Sequence, residues 1–130
     1  AGLNSPTGAS GFIISLFKSG EISVAISSQV IEEAERVIKR KLPLLVVPFL
    51  DFLLTRPRVV KRISEKVRKR TQKVLNSEDT DILSAAIMAE VKYLVTLDKQ
   101  FIEKGKGCRE CSLVLPANFL HIYRTLVKGF

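Results

Sequence analysis

No apolar run in the sequence approaches the roughly 20 residues that a membrane span needs. The most apolar stretch, residues 42–54, is interrupted by Pro43, Pro48 and Asp51. The opening AGLNSPTGAS has neither the basic nor the apolar segment of a signal peptide, so none is expected. Cysteine is scarce: Cys108 and Cys111 are the only two, and His121 is the only histidine. CREC is at most half a zinc site, because no second pair follows and three ligands at that spacing do not favour zinc. Two loop thiols in a reducing cytoplasm are expected instead. With one histidine near the end of the chain and no obvious partner for it, no Ser/His/Asp or Cys/His triad competes for the chemistry. No acidic residue occurs before Glu21.

What is present is a globular composition. Of 130 residues, 46% are hydrophobic and 26% charged, enough for one domain with a core and too apolar for a disordered chain. There are no internal repeats and no linker, so residues 1–130 are expected to form a single domain. Lys and Arg number 21 against 13 acids, a formal net charge of +8. That surplus favours anionic partners, RNA or DNA first.

In chain order, residues 1–11 are rich in Gly, Ser, Asn and Pro and read as a loop. Ser10 is a candidate cap for a helix carrying Phe12, Ile13, Leu16 and Phe17, which Gly20 ends. Residues 22–26 (ISVAI) read as a short strand. Ser27 or Ser28 then caps a helix through Lys41, with Val30, Ile31, Ala34, Val37 and Ile38 as its buried stripe. Residues 44–54 read as a further short helix, with Pro48 in its first turn. Residues 56–63 suggest a strand, and residues 64–75 (SEKVRKRTQKVL) a basic helix with Val67, Thr71 and Val74 or Leu75 inward. Arg56, Arg58, Lys61, Arg62, Lys66, Arg68, Lys69, Arg70 and Lys73 face only one acid, Glu65, in that region. Such a run is usually a solvated face, but here it leads straight into an acidic segment and is a candidate phosphate-binding surface.

That segment, residues 76–102, organises the rest: NSEDTDILSAAIMAEVKYLVTLDKQFI. It reads as a helix, a tight turn and a buried strand over residues 93–97. Ser77, Asp79 or Thr80 is positioned to cap the helix. A strand so apolar is expected to be covered on both faces, as in a parallel sheet flanked by helices. Asp79 and Asp81 open the helix and Asp98 follows the strand, where ligands of α/β sheets bind. Each acid alone is more often a cap or a turn residue. Together they make a candidate metal site. Residues 99–107 then read as a basic, glycine-containing loop, 112–115 (SLVL) as a last strand, and Pro116 as the start of a short final helix.

The pattern Asp79-x-x-Ile82-Leu83-x-x-Ala86, followed by Tyr93-Leu94-Val95-Thr96-x-Asp98-Lys99-x-Phe101, resembles the third and fourth acidic motifs of PIN-domain ribonucleases. It is close to the VapC-like branch, the toxins of toxin–antitoxin pairs. SSQVIEEAERVIKR resembles the second acidic motif, with the family's spacing placing the acid at Glu33 rather than Glu32. Pro116-Ala117-Asn118-Phe119-Leu120 resembles the motif that closes this branch. The resemblance spans residues 5–120. It implies a three-layer α/β/α fold with a central parallel sheet, and an endoribonuclease using Glu33, Asp79 and Asp98, with Asp81 close by. Carboxylates brought together repel one another and call for a cation, and hard oxygen donors suit Mg²⁺ or Mn²⁺. Such an ion activates a water and offsets charge on a phosphate. Arg56, Arg58, Lys61, Arg62, Arg68, Lys69, Arg70 and Lys99 are the candidate RNA contacts. A small antitoxin protein and a second copy of the chain are the expected protein partners, and no membrane.

The resemblance has one departure. PIN domains begin with a strand carrying a first catalytic Asp, and residues 1–9 look like the segment that follows it. A strand from upstream, or from another chain, is therefore expected between those of residues 22–26 and 93–97. Two functions remain open: a metal-dependent ribonuclease, and a catalytically inactive PIN-like module that binds RNA or a partner protein through its basic face.

Overall fold

A computed structural model describes Gly2, residues 8–73, Leu75 and residues 77–128. The loop expected over residues 3–7, the inward position of Val74, Asn76 and the Ser77 side chain lie outside the described residues. The chain divides into two compact units, Ala1–Lys61 and Arg62–Phe130. Both are α/β with parallel strands, and each contains its own two-stranded sheet.

The first unit runs α1 (Ala9–Lys18), β1 (Ala25–Ser27), α2 (Ser28–Lys41), a 3₁₀ turn (Pro43–Leu45), α3 (Val46–Leu54) and β2 (Arg58–Val60). Gly8, not Ser10, holds the N-cap of α1, with no side-chain bond. At its other end Gly20 sits at φ +80°. Its N–H donates to Phe17 and the Glu21 N–H to Leu16, so glycine closes the helix because only it enters that region freely. Ser27 caps α2, its hydroxyl accepting from the Val30 N–H at 3.1 Å. Of the expected α2 stripe, Ile38 is buried and Val30, Ile31 and Ala34 half-buried, whereas Val37 is exposed. Pro48 is the third residue of α3, where its missing N–H leaves no helical bond unmade. β1 pairs in parallel with β2, Ala25 opposite Arg58 and Ser27 opposite Val60. Both strands are shorter than the expected 22–26 and 56–63. Leu16, Phe17, Ile38 and Phe49 are buried, and the Phe17 and Phe52 rings meet edge to face at 5.5 Å.

The second unit runs α4 (Glu65–Thr71), α5 (Ser77–Met88), β3 (Tyr93–Val95), α6 (Lys99–Gly105), β4 (Ser112–Val114) and α7 (Pro116–Lys128). β3 and β4 pair in parallel, Leu94 opposite Leu113. Leu75, Leu83, Leu94, Phe101, Cys111 and Leu113 form the core, with Ile82, Ala86, Ile87 and Ile102 against it. α4 ends at Thr71, short of the expected residue 75. Its seam with α5 is polar: the Thr71 and Ser84 hydroxyls lie 2.8 Å apart, and Ser84 is wholly buried. A buried hydroxyl left without a partner is costly, so the pairing fixes the register of the two helices. Glu90 ends α5 at φ +57°, with Glu90 and Val91 N–H groups donating to Ile87 and Ala86.

Two readings of this unit need correction. Residues 99–105 are helical, not a loop, because Asp98 caps them and Phe101 and Gly105 turn inward. Gly105 lies close to Leu113: a β-carbon there would stand 2.7 Å from Leu113 Cδ2, so that side chain would have to shift. β3 is not covered on both faces. Leu94 is buried, but Val95 is exposed and Leu97 beyond it is 61% exposed. Among the described residues β1 takes β2 as its hydrogen-bonded partner and β3 takes β4, and no described strand pairs with both β1 and β3.

Candidate functional site

The four acids fall in two units. Glu33 belongs to the first, in the second turn of α2. Its carboxylate is 56% exposed and pairs with Arg36 one turn on. The first turn of α5 carries Asp79, half-buried, where the positive end of the helix favours an acid. Asp79 and Thr80 lie within the helix, which begins at Ser77, and not at its N-cap position.

Asp81 is two residues further along α5. Its Oδ1 accepts from Arg68 Nε at 2.9 Å, and Arg68 Nη1 also donates to Glu65 at 3.0 Å. Arg68 thus ties α4 to α5 through Asp81. Asp98 follows β3 and caps α6. Its Oδ1 accepts from the Gln100 and Phe101 N–H groups at 3.0 and 3.1 Å, while the Asp98 N–H donates to Thr96 Oγ1. Asp81 and Asp98 therefore both have structural partners. Among the described residues, no three His, Cys, Asp or Glu side chains gather into a group that would hold a metal ion.

The basic residues sort in the same way. Arg56 (φ +62°), Arg58 and Lys61 lie at and around β2 in the first unit, and the others follow in the second. Arg68 is held by two acids. Arg70 pairs with Glu110, its Nη1 3.1 Å from Oε1. Lys61, Arg62, Lys66, Lys69, Lys73 and Lys99 are exposed. Sequence reasoning weighted the paired Arg68 and Arg70 like the other candidates and left Lys66 and Lys73 out of them. It also missed that Asp98 opens a helix, although Asp98-x-x-Phe101 followed by Ile102 and Gly105 is a cap ahead of a short amphipathic turn.

The cysteines are free thiols. Cys111 is buried in the core, and burial, reinforced by the neighbouring Cys108, raises its pKa from 9.0 to about 11. His121 is exposed on α7. No helix among the described residues is long and apolar enough to cross a membrane.

Comparison with known proteins gives one positive result. The family model described as PIN domain matches residues 1–100, which include Glu33, Asp79, Asp81 and Asp98. No curated protein and no solved structure matches the chain.

Proposed function

The chain belongs to the PIN-domain family, α/β proteins that are usually nucleases, and from that premise we propose that it is an endoribonuclease hydrolysing RNA phosphodiester bonds. The observation that carries this is the family match, which contains all four candidate acids. In the proposal Glu33, Asp79 and Asp98 are the required carboxylates. RNA is the favoured substrate because of the +8 charge and the exposed lysines of α4 and the residues beside it. Lys66, Lys69, Lys73 and Lys99 would hold backbone phosphates, and Arg68 and Arg70 would order α4 through their ion pairs.

Mg²⁺ or Mn²⁺ dependence enters the proposal through the carboxylate donor set. The residues present do not fit a bound ion as they stand: Asp81 is paired with Arg68, and no three ligands gather among the described residues. Those same commitments favour a second reading, an RNA-binding PIN-like module without catalysis.

A uniformly labelled RNA incubated with Mg²⁺, with Mn²⁺ and with EDTA separates the two. Cleavage with metal and none with EDTA supports the enzyme. Salt-sensitive binding without cleavage under any condition supports the module. We further place the protein in the cytoplasm as the toxin partner of a small acidic antitoxin, to be tested by whether a neighbouring reading frame encodes one. Self-association completes the proposal. Leu44, Val47, Leu50 and Leu54 on and before α3 are each more than half exposed, an apolar patch of the kind that marks interaction surfaces. Light scattering of Val47→Lys against the unaltered protein tests it, with an unchanged mass ruling out this patch.

A further inference from the structure

Ligands of α/β proteins settle beyond the carboxyl ends of the strands. At that end of β4 the second unit has a cavity of about 280 Å³, walled by Ile102, Leu113, Val114 and Leu115, with Lys99 and Asn118 as its polar members. Lys99 is the first residue of α6, directly after Asp98, and Asn118 is in the first turn of α7. Both are exposed, while the apolar walls are buried or half-buried. Among the described residues no acid lines the cavity.

Size and chemistry restrict the occupant. The volume falls just below the roughly 300–1,000 Å³ of sites for drug-sized ligands, so it suits one ring system and not two. Apolar walls accept the faces of a flat heterocycle. The Asn118 amide both donates and accepts, as the edge of a nucleobase does. The Lys99 ammonium complements a phosphate and meets no competing carboxylate within the cavity.

We propose that this cavity seats one nucleobase of a single-stranded RNA, with Lys99 on the phosphate of that nucleotide and Asn118 on the edge of the base. This rests on the RNA reading above and deepens it. A seated base would set the register of the strand beside Asp98, where the acidic segment ends. The rest of the strand is held through its backbone, so sequence preference is concentrated at one position.

The test compares a single-stranded oligoribonucleotide with an abasic ribose-phosphate oligomer of equal length and charge, by fluorescence anisotropy at fixed salt. The base-bearing strand is expected to bind at least about five-fold tighter, the range of one base–protein stacking contact. Leu115→Phe fills the cavity and should bring the two affinities together without weakening the abasic strand. Asn118→Leu, at an exposed position, should narrow the same ratio. Lys99→Gln should weaken both strands by a similar factor. Equal binding of the two strands by the unaltered protein overturns the proposal, as does a ratio that survives both Leu115→Phe and Asn118→Leu. Competition by free 5′-mononucleotides as effective as the oligomer assigns the cavity to free nucleotides and also overturns it. If neither strand binds even at low salt, the RNA reading fails and this proposal fails with it. That result is distinct from equal binding, which leaves RNA affinity standing.

Discussion

Replacing Arg68 with Gln asks whether Asp81 is a structural carboxylate or a ligand in waiting. Arg68 Nε lies 2.9 Å from Asp81 Oδ1, and the two side chains are 37% and 25% exposed. A solvated ion pair contributes about 0–1 kcal/mol, whereas breaking a fully buried one costs about 3–5 kcal/mol. The exposure of this pair places it nearer the solvated end, so Arg68→Gln should cost about 1–2 kcal/mol. Asp81→Asn should cost less, about 1 kcal/mol, because the amide oxygen still accepts from Nε and Arg68 keeps Glu65. The double variant should cost less than the sum of the two, with a coupling of about 0.5–1.5 kcal/mol. In a chain of 130 residues each kcal/mol moves Tm by roughly 3–5 °C. Urea unfolding followed by circular dichroism gives all four corners of the cycle, and Mg²⁺ calorimetry on the same proteins gives an independent readout. Strictly additive costs, with coupling below about 0.3 kcal/mol, would refute the claim that this pair holds α4 to α5. A loss of Mg²⁺ binding in Asp81→Asn at unchanged stability would return Asp81 to the ligand set.

The other expectations follow from single features. Asp98→Asn keeps a good N-cap and removes the charge, so it should abolish cleavage with little change in stability, while Asp98→Ala should also lose about 1 kcal/mol; cleavage by Asp98→Asn at the unaltered rate would exclude the carboxylate from catalysis. Replacing Lys66, Lys69 and Lys73 together with Gln should weaken RNA binding evenly across sequences and flatten its salt dependence by up to about three phosphate contacts, more than the ion-paired Arg68 and Arg70 would; a loss confined to one sequence would contradict it. Cys111 stays protonated in the fold up to about pH 11, while in the unfolded chain it ionises near 9. Its contribution is therefore fully present below pH 9 and falls by about 1 kcal/mol per pH unit as pH rises toward 11; pH-dependent urea midpoints for Cys111→Ala, which should lack that slope, provide the check. Glu90→Gly relieves an L-residue at φ +57° and should stabilise by about 0.5–1 kcal/mol, even after the added freedom of the unfolded chain; a lower Tm would show that the Glu90 side chain has a role of its own.

The helices were legible wherever a cap and an apolar stripe agreed. Ser27 ahead of Val30, Ala34 and Ile38 marked α2 to within a residue, and Gly20 marked the end of α1 because the required backbone angle admits few other residues. Proline placed both α3 and α7 by their first turns. The strands were harder, since three residues of β1 or β3 carry too little pattern to separate the paired length from its apolar flanks. Pairing was harder still: nothing in Arg58-Val59-Val60 announces that it will lie beside Ala25-Ile26-Ser27, because a parallel register depends on the crossover and not on the strand. α6 was missed because two nearby glycines suggested a loop. Gly105 in fact answers to the closeness of Leu113.

The site shows why residue type outruns residue role. Asp and Glu at helix starts and strand ends suit metal binding, capping and ion pairing equally well, and sequence cannot divide one carboxylate among them. Geometry does part of this. Asp98 uses Oδ1 for its cap and leaves Oδ2 outside those two bonds, so structural and chemical duties are compatible in one side chain. Asp81 differs in charge: Arg68 already sets a positive charge against its Oδ1, so a metal approaching Asp81 competes with a guanidinium that is also paired with Glu65. The same arginine was counted by sequence as a phosphate contact. One ion pair therefore removes one member from the acidic set and one from the basic set. What it leaves is a smaller and more testable pair of claims: Asp79 and Asp98 for the chemistry of the second unit, and its exposed Lys66, Lys69, Lys73 and Lys99 for holding the strand.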